Sequence, residues 1–286
     1  MPFLIQKLDC PSKDVRATTC WTLSKFSEWI GNNENPQLFK IYHQKLTDKT
    51  ADPEESVQEA ACGAYSSLVE VTPDKCQPYL FNFFQLLNGV VGEYKDGPMI
   101  AMFDCIGSIA QAVGEGLRHP DILGVLLPLL NKKWEQFSNN NRSLLTLFEC
   151  FESVIVAIGP AMEPYAQIIF QRCITILTNV LNNIRANYEC LYSETDFYIR
   201  SMDLISSIFS ALNEKAEPIV RQSNLILILR EFLDIRDLCI KQYVFAMVGD
   251  FQKSLGTCIT DKLPDFIVYA IQNLFYDDSL VDPTQN

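Results

Sequence analysis

Residues Pro98–Leu117, PMIAMFDCIGSIAQAVGEGL, carry apolar side chains at helical spacing, interrupted by one thin line of polar residues. The polar residues are Asp104, Ser108, Gln111 and Glu115, at offsets of four, three and four positions. Such offsets keep the side chains on one face of a helix. Pro98 suits a first helical turn, where the missing N–H costs nothing. The segment therefore predicts a helix that is buried everywhere except along this line.

The same unit recurs along the chain: an apolar helix, a short break rich in Asp, Asn and Pro, and a second apolar helix. The predicted outer and inner helices are Pro36–Asp48 with Pro53–Val71, Cys76–Tyr94 with Pro98–Leu117, Pro120–Phe137 with Arg142–Ile158, Pro160–Ala186 with Thr195–Leu212, and Glu217–Leu233 with Arg236–Leu255. An inner helix, Asp14–Ile30, follows the stub Pro2–Leu8, and a lone helix, Asp261–Tyr276, closes the series. Two-helix units every ~40 to 47 residues are typical of HEAT repeats. We predict an all-α HEAT-repeat α-solenoid, a right-handed superhelix of antiparallel helix pairs.

The predicted array is a single domain over residues 1–276, with about five complete repeats flanked by half repeats. Residues 277–286 are predicted to be a disordered tail. The longest break, Asn187 to Glu194, is expected to be an insertion in a surface loop. Because the first and last units are incomplete, we expect the chain to be a piece of a longer array. The initial Met1 is also compatible with a natural short protein.

The composition restricts the partners and the compartment. The formal charge of −12, from 35 acidic and 23 basic residues, disfavours nucleic acid and anionic membranes and favours a basic partner. Cysteines such as Cys20, Cys62, Cys105 and Cys150 lie in apolar helical runs without Cys-x-x-Cys or histidine spacing. We expect reduced core thiols, no metal and no cofactor. No secretory signal and no uncharged apolar run of ~18 residues is present, so we expect no membrane insertion.

The thin polar line recurs on the other predicted inner helices. Its members are Glu59, Gly63, Ser66 and Glu70; Thr146, Glu149 and Ser153; Asp203, Ser207 and Ser210; and Ala246, Asp250 and Lys253. Asp104, Glu149 and Asp203 fall in one column of three successive units. Two interpretations remain open: a wetted line that any solenoid needs, or a groove in which Arg and Lys of an extended peptide bond to an acidic ladder.

Trp21 lies on the same face as Thr18, Lys25 and Glu28. A large aromatic side chain with a polar rim is typical of a recognition hot spot. The alternative is an indole wedged between adjacent repeats. Trp29 and Trp134, which lie among apolar positions near helix ends, are predicted to be packing residues.

Several stretches resemble the transportin-type import receptors of the karyopherin-β family. They are CWTLSK (Cys20–Lys25), VQEAACGA (Val57–Ala64), FDCIG (Phe103–Gly107), FQRC (Phe170–Cys173), RQSNL (Arg221–Leu225) and Gly249-Asp250. The similarity runs across nearly the whole chain and is to the C-terminal, cargo-binding half of the receptor, without its last repeats. In that family the inner helices line a concave surface that binds an extended basic nuclear-localisation segment ending in Pro-Tyr.

The resemblance implies a role for each matching residue. Trp21 corresponds to the aromatic near the Pro-Tyr end, Ala60 and Glu70 to the adjoining wall, and four carboxylates to the positions that meet the basic part of the signal. Two residues depart from the family pattern: Lys25 replaces an arginine, losing its planar fork, and Gln111 replaces an aspartate. The candidate cargo-binding residues are Trp21, Lys25, Glu59, Ala60, Glu70, Asp104, Gln111, Glu149, Asp203 and Asp250.

The resemblance also implies partners and location. We expect basic nuclear-localisation segments of cargo proteins, often RNA-binding proteins, as ligands, and shuttling between cytoplasm and nucleus as a monomer. Nucleoporins and the GTPase Ran are expected partners of a whole receptor, with the Ran site absent from this chain. We therefore expect weaker, incomplete cargo binding by the chain alone and no response to Ran.

Two other classes of function are possible from the sequence. A HEAT-repeat scaffold or another karyopherin would bind folded partners and would need neither the tryptophan nor the aligned carboxylates. An enzyme is disfavoured because only His43 and His119 are available and neither accompanies a candidate nucleophile. Carboxylates one repeat apart would be separated by ~10 Å, too far to share one metal ion.

Overall fold

The computed structural model describes residues 1–33, 35–256 and 263–274 and is all-α, with no β-strand in those ranges. The helices are α1 (Pro2–Lys7), α2 (Lys13–Ser24), α3 (Ser27–Gly31), α4 (Pro36–Thr50), α5 (Glu55–Val71), α6 (Pro73–Cys76), α7 (Leu80–Val90), α8 (Asp96–Val113), α9 (Pro120–Gln136), α10 (Ser143–Ile158), α11 (Glu163–Ala186), α12 (Leu191–Leu212), α13 (Glu217–Arg221), α14 (Leu225–Leu233), α15 (Leu238–Leu255) and α16 (Leu263–Leu274). The predicted fold class is thereby confirmed at the level of secondary structure.

The first compact unit, Met1–Ala161, is built of two helical layers. In the inner layer α2 packs against α5, α5 against α8, and α8 against α10. In the outer layer α4 packs against α7 and α7 against α9, while α4 also packs on α5 and α9 on α10. The inner helices α5 and α8 are therefore each covered on two flanks by their inner neighbours, while α4 packs on the back of α5 and the short helix α6 contacts α8.

The second compact unit, Met162–Asn286, repeats the arrangement. Here α11 packs on α12 and α14 on α15, α12 contacts α15 in the inner layer, and α14 contacts α11 and α16 in the outer layer. The stacked helix pairs are those expected of HEAT repeats. The prediction of one array over residues 1–276 stays a prediction, and the predicted tail at 277–286 lies outside the described residues.

Two predicted helices are broken by side-chain hydrogen bonds to the backbone. The predicted helix Asp14–Ile30 divides into α2 and α3, and the hydroxyl of Ser24 donates to the carbonyl of Trp21 at the break. The predicted helix Glu217–Leu233 divides into α13 and α14, and the Ser223 hydroxyl donates to the carbonyl of Val220. Serine hydroxyls compete with the helical hydrogen bonds in this way.

Two further boundaries differ from the predictions. The predicted helix Cys76–Tyr94 is instead α6, a 3₁₀ turn at Gln77–Tyr79 and α7. The predicted insertion loop Asn187 to Glu194 is wrong, because α12 already begins at Leu191 and only a 3₁₀ turn, Tyr188–Cys190, precedes it. The extra residues of this repeat therefore lengthen a helix and do not form a loop.

The inner helices α8, α10, α12 and α15 end in the same unusual backbone conformation. The residues directly after them have positive φ of 51 to 56° and negative ψ; they are Gly114, Gly159, Asn213 and Gly256. A 3₁₀ turn follows Val113, Ile158 and Leu212. The predicted continuation of Pro98–Leu117 as one helix is therefore wrong beyond Val113. Three of the four positions carry glycine, the residue that adopts positive φ without steric cost.

We expect Asn213→Gly to stabilise the protein, because it removes backbone strain at the one non-glycine residue of this set, which has a φ of 51°. The gain should be about 1 kcal/mol after the entropy of the unfolded glycine is subtracted. Chemical denaturation of the two proteins measures it. Gly114→Ala is the matched opposite change. Because no atom crowds an added Cβ there, only backbone strain should lower the stability, by about 1 kcal/mol or more. Equal stability of the three proteins would contradict this account.

His43 fastens α4 to α5 inside the first unit. It is buried, its Nε2 lies 2.8 Å from the Tyr65 hydroxyl, and its ring is 4.5 Å from that of Tyr79. Burial lowers the pKa of His43 to about 4 from its ordinary 6.5. The imidazole is therefore a neutral core group, in keeping with the expectation that it is not catalytic.

Because the unfolded chain takes up a proton at His43 before the folded one does, stability should fall as the pH drops from about 6.5 towards about 4. The loss from this group should be roughly 2 kcal/mol at about pH 5. His43→Gln should flatten that part of the stability–pH curve, measured by denaturant titration at several pH values. His119→Gln, which changes the exposed second histidine, should follow the unaltered protein; the same slope in His43→Gln would contradict the assignment.

Candidate peptide-binding surface

Trp21 lies on α2 with its side chain accessible. It is 61% exposed, and the Lys25 ammonium nitrogen lies 5.2 Å from the centroid of its ring. A cation at this distance is attracted by the face of an indole. The alternative of an indole wedged between repeats is wrong. Trp21 and Lys25 therefore form one exposed aromatic and cationic element.

The other two tryptophans differ from each other. Trp134 is 2% exposed and lies 5.3 and 5.1 Å from the rings of Phe148 and Phe151, so its predicted packing role is confirmed. The same prediction is wrong for Trp29, which is 51% exposed on the short helix α3. The break between α2 and α3 changes the helical phase on which that prediction depended.

Replacing Trp21 by Ala should lower the stability by less than about 1 kcal/mol, because the side chain has little packing to lose. Trp134→Ala is the control and should cost roughly 3 to 5 kcal/mol, as expected for a buried aromatic. Thermal melts of both variants measure the difference. A comparable loss in the two variants would show that Trp21 is a packing residue after all.

Glu59, Ala60 and Glu70 lie on α5, with both carboxylates exposed and Ala60 half-buried. A Cβ added at Gly97 would overlap the carboxylate of Glu59, so Glu59 rests against the first turn of α8. Negative charge is stabilised at the N-terminus of a helix. Glu59 therefore has a role in joining α5 to α8, which the sequence analysis did not foresee. Glu70 lies three turns away and makes no such contact.

Asp104 and Glu149 form an acidic pair on the neighbouring inner helices α8 and α10. Both are exposed, and the pKa of Asp104 is raised, chiefly by desolvation and further by repulsion from Glu149. Two turns further along α8, Gln111 Nε2 donates to Ser153 Oγ at 3.1 Å. The predicted alignment of the polar line between these two helices is thus present.

Asp203 and Asp250 form the corresponding pair on α12 and α15. The pKa of Asp203 is raised by desolvation and by Asp250, and is lowered by Arg200, whose Nη1 lies 3.8 Å from Asp203 Oδ2. Asp250 accepts a hydrogen bond from Ser206. Ser207, which the sequence analysis placed on the polar line, is only 8% exposed. The line therefore runs through Ser206, one position away.

Arg200 is the functional neighbour that the sequence analysis missed. It lies three residues before Asp203, a spacing at which side chains meet on a helix surface, so a search for i,i+3 charge pairs would have found it. The first unit has no basic residue at the equivalent spacing before Asp104, where Ala101 stands. The i,i+3 charge pair of Asp203 is therefore not repeated at Asp104.

The cysteines and the other potential metal ligands of the described residues provide no further functional site. Cys20, Cys62, Cys105 and Cys150 are buried free thiols, and burial raises the pKa of Cys20 and of Cys105 to about 12. Within residues 1–33, 35–256 and 263–274 no group of three or more His, Cys, Asp or Glu side chains is placed to hold a metal ion.

Two stretches of the described chain, Asp96–Arg118 and Ser143–Ala186, are long and apolar enough to cross a membrane by length and composition. The sequence analysis looked for an uncharged run and expected no membrane insertion, whereas these windows admit up to two charged residues. Of the two windows, 50% and 56% are buried inside the protein, and core helices of soluble proteins meet the same criteria.

The fold is shared with solved solenoids. An importin-β structure superposes with a TM-score of 0.69 at 15% identity, covering 95% of this chain and 33% of that one. A designed armadillo repeat protein in complex with the peptide (KR)4 superposes with a TM-score of 0.59 at 15% identity, covering 87% and 98%. At these identities the likeness concerns the fold, which is an α-solenoid of importin-β and armadillo type.

Curated relatives are similar over nearly the whole chain, whereas no protein-family model matches. Human transportin-1 is 30% identical over 274 residues, which are 92% of this chain and 30% of the relative. Rice transportin-1 is 31% identical over 278 residues, with coverage of 95% and 31%. The importin subunit beta-2 of Saccharomyces cerevisiae is 26% identical over 292 residues, with coverage of 97% and 31%.

These relatives are transport receptors and not enzymes, which agrees with the prediction that this chain is not an enzyme. The similarity confirms the resemblance found in the sequence motifs. The chain spans about 30% of the length of the relatives it matches. By sequence, this protein is a relative of the transportins and corresponds to a segment of them.

Proposed function

We propose that the chain is part of a nuclear import receptor and binds an extended, basic nuclear-localisation segment of a cargo protein along its inner helices. In this proposal Arg or Lys of the segment binds the acidic pair Asp104–Glu149. Trp21 and Lys25 contact a Pro-Tyr end, and Ala60 and Glu70 form the wall between. The observation that carries the proposal is the acidic pair itself.

Desolvation raises the pKa of Asp104, and repulsion from Glu149 on the neighbouring helix raises it further, so both effects destabilise the charged form of Asp104. A guanidinium or ammonium group placed between the two carboxylates would relieve that repulsion and make charge-assisted hydrogen bonds. Each such contact at an exposed site contributes up to about 1 kcal/mol, so affinity requires several contacts and should fall with salt.

The second pair, Asp203–Asp250, is a further position for a cation of the segment. Arg200 and Ser206 interact with these carboxylates, and a peptide cation would compete with them. Gln111, which donates to Ser153, offers its amide oxygen as a neutral acceptor beside the Asp104–Glu149 pair.

The proposed partners follow from the relatives. They are basic segments of cargo, including RNA-binding proteins, and, for a receptor of full length, nucleoporins and Ran. Shuttling between cytoplasm and nucleus as a monomer is part of the same proposal. A solenoid of the same fold class, the designed armadillo protein, is described in complex with a basic peptide, (KR)4.

The second candidate, a scaffold that binds folded partners, makes no use of Trp21 on the inner face or of the aligned carboxylates. It would predict that a short basic peptide does not bind. The peptide measurement below therefore separates the two functions.

The double variant Asp104→Asn with Glu149→Gln should bind a fluorescent basic Pro-Tyr peptide about tenfold more weakly, because two charge-assisted contacts are weakened. Its dependence on salt should also be shallower. Fluorescence anisotropy at several NaCl concentrations measures both quantities. A parallel peptide with its Arg and Lys replaced by Gln should bind the unaltered chain poorly.

The matched control is Asp74→Asn with Glu93→Gln, which removes two exposed carboxylates that lie outside the inner helices. It should retain the affinity and the salt dependence of the unaltered chain. Equal weakening in both double variants would indicate a nonspecific effect of net charge. Unchanged affinity in the first variant would remove the acidic pair from the mechanism.

A further inference from the structure

A hollow of about 320 Å³ opens between the C-terminal parts of α8 and α10. Its apolar wall consists of Ala110, Val156 and Ala157. Val156 is 67% exposed, although its neighbours Ala110 and Ala157 are buried. The inner layer thus presents an aliphatic side chain to solvent above a floor of small residues.

The polar rim of the hollow is already fixed by internal hydrogen bonds. Gln111 donates to Ser153, Arg118 Nη1 lies 3.0 Å from Glu115 Oε1, and Arg118 Nε donates to the carbonyl of Ile158 at 3.0 Å. A rim held in this way keeps the hollow open and does not need a ligand to satisfy it. The unsatisfied feature is the apolar wall, since covering exposed aliphatic surface is favourable.

The hollow lies on the same two helices as the acidic pair. Gln111 follows Asp104 by seven residues, which is ~10 Å along the helix axis at 1.5 Å per residue. An extended peptide covers that distance in about three residues at ~3.3 Å each. A peptide whose cation reaches the acidic pair therefore brings a nearby side chain to Val156.

We propose that this hollow is a subsite for one aliphatic side chain, such as that of Leu or Met, of the same basic peptide. The inference rests on the proposed function and specifies its ligand: a cationic residue with an apolar residue about three positions away. The charge around the hollow supports this occupant, because Asp104 and Glu149 attract the cationic residue of such a peptide. The exposed Val156 then supplies selectivity that charge alone cannot give.

The test uses peptides with an Arg-Lys pair in a Gly/Ser background and one leucine moved through each position within about five residues on either side. A leucine-free peptide of the same charge is the reference. Anisotropy titrations with the unaltered chain should show one preferred leucine position that binds about tenfold more tightly than the reference. Val156→Ala should abolish most of that preference and leave the affinity for the reference peptide unchanged.

Ile41→Ala is the matched control, since it shortens a half-exposed aliphatic side chain on the outer helix α4. It should leave the leucine preference intact. Affinity that ignores the leucine position, or a preference that survives Val156→Ala, would overturn the subsite while leaving the proposed function in place. Failure of every peptide to bind the unaltered chain would overturn the proposed function and the subsite with it.

Discussion

The structure depends on the packing of each inner helix against its inner neighbours and an outer helix. Helix α8 contacts α5 on one side and α10 on the other, so it buries apolar residues over most of its circumference. Only one narrow face remains in contact with water, and charged residues are confined to it because burying them unpaired is costly. The position of the polar line is thus a consequence of how the core is formed.

The same constraint explains which parts of the fold could be predicted from sequence. Helix α8 and its polar line follow from apolar spacing, and the prediction placed Asp104 and Gln111 correctly. The C-terminal ends of α5, α10, α12 and α15 also lie where the sequence predicts them, at Val71, Ile158, Leu212 and Leu255. The end of α8 at Val113 could not be predicted in that way, because it depends on the positive φ of Gly114 directly after the helix, and apolar spacing carries no signal for it.

Local hydrogen bonds account for the remaining differences. Ser24 and Ser223 donate to backbone carbonyls where predicted helices break, and the first of these breaks leaves Trp29 exposed. In the candidate site, the carboxylate of Glu59 rests against the first turn of α8. Arg200 lies beside Asp203 and lowers the pKa of that carboxyl group. These effects require three-dimensional neighbours. The sequence left two interpretations of Trp21 open, and its exposure agrees with the one in which Trp21 is a recognition residue.

We propose that a basic peptide lies along the inner helices of the first unit. The most direct measurement is photo-crosslinking of a basic peptide that carries a benzophenone group next to its Arg-Lys pair, with the attachment sites identified by mass spectrometry. We expect crosslinks near Asp104 on α8 and between Glu149 and Val156 on α10. Crosslinks confined to the outer helices α4, α7 and α9 would contradict it.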